Sequence, residues 1–462
     1  MNTQDTIVAI ATAPGAGAIG MVRVSGKEAF SIVNAVFKGK DLRLQATHTL
    51  HFGYIAEGKG TDAEQHIDEV VAGLFRGPKS FTGEDTIEIT AHGSLYILQR
   101  IVAVCIAQGA RMAMPGEFTQ RAFLNGKMDL TQAEAVADLI AADSAAAQQT
   151  ALKQLRGGFS GDLKQLREQL INFAALIELE LDFSQEDVAF ADRTQLAALI
   201  GTMQQATRQL VQSFSLGNAI KNGVSVAIIG KPNAGKSTLL NALLNEERAI
   251  VSDIAGTTRD TIEEMMNIRG ILFRLIDTAG LREDTTDEIE KIGVGKSLEK
   301  MRQADVVIAL HDVLLSDRET IAAQLAGLEA EGIRSLPVLN KADLLDEAQR
   351  RSWMEAFPQA LLISAKEKQH LELLKDALYD TAIDQNISME NTVVVNARHH
   401  EALLKVAECL DEIERGMAMD ISGELLALDI RRCLYFLGTI TGEVEIDRDI
   451  LGTIFGKFCI GK

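Results

Sequence analysis

Residues 224–241 read VSVAIIGKPNAGKSTLLN: an apolar run, a glycine-rich loop and the start of a helix-forming segment. The loop from Gly230 to Ser237 matches GxxxxGK[ST], in which glycines let backbone N–H groups approach phosphate oxygens. A strand before the loop and a helix after it are the context that this motif requires, and a helix N-terminus favours anions. We therefore expect a phosphate-binding loop, with Lys236 on the β- and γ-phosphates and Ser237 on Mg²⁺.

Strand-like and helix-like segments continue to alternate after this loop, with further apolar runs in FRLID, DVVIAL, SLPVLN and ALLISA. Such alternation is typical of a mainly parallel sheet with helices on both faces. We assign residues 218–385 to this α/β domain.

Helical patterns lie on both sides of the α/β domain, in residues 126–217 and 386–462. We predict one discontinuous helical domain that carries the α/β domain as an insertion, because the termini of a domain often lie close together. Residues 130–155, LTQAEAVADLIAADSAAAQQTALKQL, are predicted to form one long helix, and the Thr131-to-Glu134 spacing resembles a capping box.

Residues 1–125 show a pattern different from those of the other two regions. Short β-like runs are separated by Gly and Pro, with one helical stretch at 94–108. This pattern predicts an α+β domain. The whole chain is thus expected to be a multidomain protein that combines α+β, helical and α/β parts.

Two motifs between the phosphate loop and residue 281 fit a γ-phosphate sensor. Asp277-Thr-Ala-Gly280 ends the apolar run FRLID, where Asp277 would hold Mg²⁺ through water and the Gly280 amide would detect the γ-phosphate. Thr257 and Thr258 lie earlier, where a second Mg²⁺ ligand belongs.

Two later motifs fit recognition of guanine. Asn340-Lys-Ala-Asp343 follows SLPVL, and the Asp343 carboxylate can accept both the N1–H and the 2-amino hydrogens of guanine, a pair that adenine lacks. Ser364-Ala-Lys366 follows ALLI and would cover the base edge. The chain is therefore predicted to bind and hydrolyse GTP. The predicted nucleotide contacts are Asn233, Ala234, Gly235, Lys236, Ser237, Thr238, Ser252, Asp253, Ile254, Ala255, Gly256, Thr257, Thr258, Asp277, Thr278, Ala279, Gly280, Asn340, Lys341, Asp343, Ser364, Ala365 and Lys366.

Leu281 stands where Ras-type GTPases carry the glutamine that orients the attacking water. Glu283 is the nearby candidate for a general base, and the alternative is a solvated carboxylate. A bound cation could replace an arginine finger, since Asn233 and the carbonyls of residues 252–256 offer the oxygen ligands that suit K⁺.

Composition narrows the protein class further. The 462 residues carry a net charge of −19, which disfavours a surface broadly coated by nucleic acid. The four cysteines are scattered without a CxxC pair, which argues against zinc and a disulfide framework. With neither a signal-peptide pattern nor a long apolar run, we expect a cytoplasmic protein without a membrane anchor.

These motifs resemble the MnmE (TrmE) family of tRNA modification GTPases nearly end to end. The phosphate loop and NKAD are shared with many GTPases, but the remaining blocks are narrower. The blocks that carry the resemblance are DTIVAIATAPGAGAIGMVRVSG (5–26), SFTGEDTIEITAHG (80–93), PGEFTQRAFLNGKMDLTQAEAVADLI (115–140), DIAGTTRD (253–260), DTAGLRE (277–283) and the tail FCIGK (458–462). Ala16 departs from the family's usual arginine.

The resemblance implies a K⁺-stimulated, Mg²⁺-dependent GTPase that works with a flavoprotein of the MnmG (GidA) type, which carries FAD. Together they would attach an aminomethyl or carboxymethylaminomethyl group to C5 of the wobble uridine of certain tRNAs. The carbon would come from a reduced folate of the 5-formyl- or methylene-tetrahydrofolate type, bound by the N-terminal domain. The resemblance also implies a homodimer, and a heterotetramer or larger complex with the partner.

Family positions carry over residue by residue. Glu283 matches the catalytic glutamate, and Cys459 matches the FCIGK cysteine, for which a nucleophilic and a packing role both stay open. The implied ligands are Ser237 and Thr258 for Mg²⁺; Asn233, Ser252, Ile254 and Thr257 for K⁺; and Arg23, Glu88, Lys127 and Lys462 for folate.

Two other functions fit the GTPase motifs alone: a ribosome-assembly GTPase that binds RNA, and a regulatory switch that binds a protein effector. Both leave the N-terminal blocks and the FCIGK tail unexplained. A single phosphate loop and no recognisable KH loop also disfavour the first of these.

Overall fold

The computed structural model describes residues 5–182, 193–247, 264–276, 304–383, 392–419 and 421–443, together with residues 458 and 461. The chain divides into two compact units. The first contains Met1–Ala137, Gln154–Lys164 and Leu437–Lys462, and the second contains Asp138–Lys153 and Gln165–Phe436. The three-domain boundaries given above stay a prediction.

The first unit is built on a seven-stranded sheet with the order β3-β4-β5-β6-β2-β1-β7. All its pairings are antiparallel except that of β1 with β7. Its strands are β1 (Ile7–Ile10), β2 (Ile19–Ser25), β3 (Phe37–Lys38), β4 (Thr49–Glu57), β5 (Gln65–Phe75), β6 (Thr86–His92) and β7 (Arg111–Met112). Its early helices are α1 (Ala29–Val36), α2 (Leu95–Ala107) and α3 (Glu117–Leu124).

Side-chain alternation gives this sheet two different faces. Val22 and Val24 of β2 are fully buried in the core that the sheet shares with residues of α1 and α2. Arg23, between them, belongs to the other face, where Phe118 of α3 is also buried. The predicted α+β character of this region is confirmed.

The second unit contains a six-stranded sheet with the order β13-β12-β11-β8-β10-β9. It is parallel except for the β9–β10 pair, as predicted for the α/β part. Its strands are β8 (Val224–Ile229), β9 (Glu264–Ile268), β10 (Ile271–Ile276), β11 (Val306–Asp312), β12 (Ser335–Asn340) and β13 (Leu361–Leu362). The remaining helices are α4 (Leu130–Ala141), α5 (Ala145–Leu155), α6 (Gly158–Asp182), α7 (Arg193–Asn222), α8 (Lys236–Glu247), α9 (Arg318–Ala330), α10 (Glu347–Ala356), α11 (Leu371–Ala382), α12 (Ala397–Ala418) and α13 (Gly423–Thr441).

Helices that precede and follow the six-stranded sheet pack against each other. Gln204 of α7 donates hydrogen bonds to Asp411 and Glu414 of α12, each at 2.8 Å. Phe214 of α7 stacks on His400 of α12 with the ring centroids 4.2 Å apart. The chain therefore returns to α7 after the α/β segment. In the described part of the chain, no helix is long and apolar enough to cross a membrane.

The prediction of one helix over residues 130–155 is wrong, because α4 ends at Ala141 and α5 begins at Ala145. The Ser144 hydroxyl accepts the Ala147 amide at 3.1 Å, which caps a new helix inside a sequence whose apolar pattern runs on.

The start of α4 also differs from the prediction. Asp129 accepts the Gln132 amide and Gln132 accepts the Asp129 amide, both at 3.0 Å, so these two residues form the capping box. The Thr131 hydroxyl instead donates to the Asp129 carboxylate at 2.6 Å.

Candidate nucleotide and folate sites

The phosphate loop lies between β8 and α8, as the motif predicts. Asn233 and Gly235 both have positive φ, +63° and +97°, which turns the loop tightly before the first residue of α8. The Lys236 ammonium donates to the carbonyls of Gly230 at 2.9 Å and Lys231 at 3.1 Å. These contacts place its charge inside the loop, where phosphate oxygens would lie.

Both motif glycines are needed for close packing. A Cβ at Gly230 would collide with the carbonyl oxygen of Leu310 on β11, and one at Gly235 would collide with the side-chain amide of Asn340. The loop is thereby pressed against the neighbouring strand and against the predicted guanine motif. Asn233, Ser237 and Thr238 are exposed on this loop and the first turn of α8.

Asn340 joins the phosphate loop to the two predicted base-contacting segments. It is 3% exposed, and its Nδ2 donates to the Ala234 carbonyl at 2.8 Å while its Oδ1 accepts the Ala365 amide at 3.0 Å. The Ala342 amide donates to the Ile363 carbonyl at 3.0 Å. The structure therefore brings residues 233–238, 340–343 and 364–366 together.

Lys341 and Asp343 sit on a tight turn after β12. Lys341 has φ +69° and precedes a 3-10 turn, Ala342–Leu344, that presents Asp343. The Lys341 ammonium pairs with the Asp312 carboxylate at 2.6 Å. Ser364 is buried and its hydroxyl accepts the Glu367 amide at 3.2 Å, whereas Lys366 is exposed.

Two residues at the end of β11 were missed by the sequence reasoning. Asp312 is buried against Lys341, and His311 is 5% exposed with an Nε2 atom that has no hydrogen-bond partner in the described part of the chain. Burial lowers the pKa of His311, and the nearby charge of Lys231 lowers it further. The signal was available, since polar residues that directly follow a parallel strand lie at the ligand-binding edge of such a sheet.

Several predicted site residues lie outside the described residues, so their positions stay predictions. These are Ser252, Asp253, Ile254, Ala255, Gly256, Thr257, Thr258, Asp277, Thr278, Ala279, Gly280, Glu283, Cys459 and Lys462.

In the first unit, Arg23 and Glu88 are direct partners on adjacent strands. The Arg23 Nη2 and Nε atoms both donate to Glu88 Oε1, at 2.8 and 3.0 Å. The guanidinium lies 5.3 Å from the ring centroid of Phe81 and 5.6 Å from that of Phe118. The two side chains are 17% and 22% exposed, so the aromatic-flanked ion pair can be reached from solvent.

Lys127 and Gly461 contact segments next to this pair, namely the loop that carries Phe81 and strand β1. The Lys127 ammonium donates to the Pro78 carbonyl at 2.9 Å, on the loop that carries Phe81. A Cβ at Gly461 would collide with the carbonyl of Ile10 on β1, the strand paired with the Arg23 strand. The residue before Lys462 thus lies against the sheet that holds Arg23.

A buried arginine on α3, the helix that carries Phe118, forms ion pairs with three carboxylates. Arg121 of α3 is 3% exposed and pairs with Asp5 at 2.6 Å, Glu117 at 3.0 Å and Glu84 at 3.3 Å. The hydrogen bond from Arg111 holds the pKa of Asp5 below its usual value, with Arg121 adding to the effect. Burial raises the pKa of Glu117, but hydrogen bonds from Arg111, the Met114 amide and Arg121 outweigh it and leave that pKa lowered.

Two family models match the chain in succession. One, described as the GTP-binding protein TrmE N-terminus, matches residues 6–127. The other, the MnmE helical domain, matches residues 130–459.

Curated relatives extend the match to full length. A tRNA modification GTPase MnmE of Cytophaga hutchinsonii is 52% identical over 461 residues, which cover 100% of this chain and 98% of the relative. Another of the same name, from Flavobacterium johnsoniae, is 51% identical with full coverage of both chains. Among solved structures, the G domain of the T. maritima FeoB iron transporter is 26% identical over 34% of this chain and 98% of that one, with a TM-score of 0.25. Because two MnmE (TrmE) family models match it in succession and full-length relatives of that name are 51% and 52% identical to it, the chain belongs to the MnmE family of tRNA modification GTPases.

Proposed function

We propose that this protein is a K⁺-stimulated GTPase which, with an FAD-containing partner of the MnmG (GidA) type, modifies C5 of the wobble uridine of certain tRNAs in the cytoplasm. The added group is aminomethyl or carboxymethylaminomethyl, and a reduced folate supplies its one-carbon unit. GTP hydrolase activity comes with membership of the family, and GTP is the substrate. The K⁺ dependence, the folate and the partner are the proposed parts.

The observation that carries the GTPase assignment is the bridge made by Asn340. Its side chain donates to the Ala234 carbonyl of the phosphate loop and accepts the Ala365 amide of the base segment, so the protein's own contacts fix the two segments relative to each other. A site in which phosphate and base contacts are fixed in advance loses less conformational entropy when the nucleotide binds. Asp343, presented by the next turn, then selects guanine over adenine.

Oxygen donors near the phosphate loop fit the two metal ions. The Ser237 hydroxyl is exposed at the first turn of α8, where it can reach Mg²⁺ on the phosphates together with Thr258. The Asn233 side chain is exposed on its left-handed turn and offers a neutral oxygen for K⁺, with Ser252, Ile254 and Thr257 as further ligands. When bound, these cations stabilise the negative charge that develops on the phosphates.

Glu283 is the proposed general base in this mechanism. Leu281 cannot orient water because its side chain has no polar atom, so a carboxylate two residues later takes the proton of the attacking water directly or through a second water. Lys236 holds the β- and γ-phosphates in line for that attack.

The face around Arg23 fits a folate. Glu88 receives both Arg23 hydrogen bonds on Oε1, and its Oε2 accepts none from the described residues, which leaves that atom for the N–H edge of a pterin. Phe81 supplies flat, partly exposed apolar surface beside it, while the buried Phe118 ring packs near the Arg23 guanidinium. Lys127 and Lys462 would pair with the glutamate tail of the folate.

An apolar patch on β4 supports the proposed homodimer. Leu50 and Phe52 are 74% and 62% exposed on the same face of this strand, and such contiguous apolar surface is typical of protein contacts. With a net charge of −19, this chain leaves much of the basic surface for tRNA to the flavoprotein partner, in the proposed heterotetramer or larger complex.

The deciding experiment measures GTP turnover of the full chain in KCl and in NaCl, for the wild type and for Glu283→Ala. We expect faster turnover in KCl, and a loss of about 100-fold or more in the variant because a general base contributes on that scale. Binding of a fluorescent GDP analogue should be unchanged. Glu329→Ala, a change of the same type at an exposed position of α9, is the matched control.

Equal rates in the two salts would remove the K⁺ assignment of Asn233. Full activity of Glu283→Ala would remove the proposed base. Neither result would affect the family membership.

A further inference from the structure

Asp312 stands between the two halves of the nucleotide site. It ends β11, the strand that lies between β8, which leads into the phosphate loop, and β12, which leads into Asn340. Its Cα is the register partner of Asn340, and the Val313 amide donates to the Asn340 carbonyl at 3.3 Å. This position places its carboxylate at the edge of the sheet where the base segments begin.

The Asp312 carboxylate is buried and uses its two oxygens differently. Oδ1 accepts the Leu314 amide at 2.9 Å, while Oδ2 accepts the Lys341 ammonium at 2.6 Å. The aspartate side chain is 5% exposed and the lysine side chain 33% exposed. A carboxylate so far from water requires a compensating charge, and Lys341 supplies it.

The ion pair fixes the one residue of the NKAD segment that has a strained backbone. Lys341 adopts φ +69°, a conformation that L-residues other than Asn and Asp adopt rarely, and the turn carrying Asp343 follows immediately. With its ammonium held by Asp312, the four-carbon stem of Lys341 is fixed beside the base segments and can cover the apolar face of a ring.

We propose that Asp312 is a positioning residue for guanine nucleotide, which acts by holding Lys341 against the base. This inference rests on the nucleotide site proposed above and adds to it a residue outside the NKAD and SAK motifs. It predicts that removing the charge of Asp312 weakens GDP and GTP binding and raises the KM for GTP, with kcat at saturation unchanged.

Asp312→Asn separates this role from a purely structural one. The amide oxygen of asparagine still accepts the Leu314 amide, so the turn after β11 is retained, but the charge that holds Lys341 is lost. Equilibrium and stopped-flow binding of a fluorescent GDP analogue to the full chain should show an affinity loss of about tenfold, mostly in the dissociation rate.

A double-mutant cycle tests whether the effect passes through Lys341. Lys341→Gln should weaken binding, and the double variant should bind no more weakly than Lys341→Gln alone. Asp346→Asn is the matched control: this exposed aspartate caps α10, and asparagine is an equally good cap, so binding should stay at the wild-type level.

The possible results bear on different parts of the proposal. Wild-type affinity in Asp312→Asn, or losses that multiply in the double variant, would overturn the role of Asp312 while leaving the nucleotide site intact. A wild-type chain that binds ADP as tightly as GDP would instead refute the nucleotide site itself. If Asp312→Asn does not fold, Lys341→Arg, which keeps the ion pair, must bind more tightly than Lys341→Gln, and equal losses would count against the proposal.

Discussion

Replacement of Asn340 by alanine should uncouple the phosphate loop from the base segment. The side chain makes two buried hydrogen bonds, to the Ala234 carbonyl and from the Ala365 amide, and both of these residues are almost fully buried. Alanine leaves a buried acceptor and a buried donor without their partner, at a cost of about 1–3 kcal/mol each.

Part of that cost lowers the free energy of unfolding of the free protein, and the rest lowers the affinity for the nucleotide. The two segments can move apart in the free variant and recover water contacts, and they must be reassembled when the nucleotide binds. If about 2 kcal/mol reappears on binding, the affinity for GDP falls about 30-fold. Titration calorimetry with GDP, together with the thermal transition of the free protein, measures both parts.

Asn340→Asp makes the prediction sharper. An aspartate can still accept the Ala365 amide, but its second oxygen faces the Ala234 carbonyl, which then meets an acceptor in place of a donor. We expect it to bind GDP at least as weakly as the alanine variant. Asn267→Ala is the control, because Asn267 accepts the Gly270 amide in the β9–β10 turn and makes no hydrogen bond to the phosphate or base segments among the described residues. A loss under threefold for Asn340→Ala, or tighter binding by Asn340→Asp than by Asn340→Ala, would refute the bridge as the link between the segments.

Two further predictions concern the first unit. Glu88→Gln should weaken binding of 5-formyltetrahydrofolate about tenfold in equilibrium titration while leaving GTP turnover unchanged, because the charged acceptor for a pterin N–H is lost; unchanged folate affinity would contradict the proposed site. Arg121→Met should cost about 3 kcal/mol at pH 7 because it removes a buried cation that pairs with the buried Glu117 carboxylate and with the partly exposed Asp5 and Glu84, whereas Arg111→Met, at a 39% exposed position, should cost about 1 kcal/mol or less. Because the pKa values of Asp5 and Glu117 are lowered in the folded chain, their contribution is present at neutral pH and is lost as the pH falls below about 4. The difference in unfolding temperature between the wild type and Arg121→Met should therefore become smaller in acid. A difference that stays constant with pH would indicate that the variant has lost packing only.

Both sheets could be predicted from the sequence because alternating apolar residues favour a strand, and glycines favour a turn, within a few residues of where they stand. The β-like runs TIVAIA, GMVRVSG, HTLHFGYIA, EVVAGLF and DTIEITAHG of the first unit each overlap a strand, as do the apolar runs of the second. The strand–loop–helix around Gly230–Ser237 also formed as expected. Hydrophobic periodicity was a poorer guide inside 130–155, where Ala-rich, helix-like sequence lies on both sides of Asp143 and Ser144 although the helix stops at Ala141. There the Ser144 hydroxyl caps a second helix, a local signal that a periodic pattern does not contain.

Capping at α4 shows a second limit of local reasoning. Asp129-x-x-Gln132 and Thr131-x-x-Glu134 overlap in the sequence, and both satisfy the capping-box pattern. Which one caps the helix depends on where the preceding chain enters, and this is fixed by contacts remote in sequence. One such contact is Lys164, whose ammonium lies 3.3 Å from the Asp129 carboxylate.

At the nucleotide site, motif reasoning predicted residues that would contact the ligand but missed the side chains that hold those residues in place. Lys341 belongs to a recognisable motif, but Asp312, which pairs with it, lies 29 positions earlier and belongs to none. The same holds for Arg23, whose ring neighbours Phe81 and Phe118 come from different segments of the chain. Residues of one motif that bind the same ligand keep a fixed spacing in the sequence. A supporting residue can instead lie at the end of any neighbouring strand, so no spacing in the sequence marks it.

The supporting residues make the phosphate and base contacts of the nucleotide site depend on one another. Asn340 ties Ala234 to Ala365, and Asp312 ties β11 to Lys341, so three adjacent parallel strands end in a single hydrogen-bonded set. Gly235 completes it, because any side chain there would displace the Asn340 amide. A change in the phosphate loop must therefore alter the geometry at the base, and a nucleotide that satisfies the base contacts stabilises the loop conformation that binds phosphate. We therefore expect guanine specificity and phosphate positioning to be coupled at this edge of the sheet, because the same side chain, Asn340, contacts both segments.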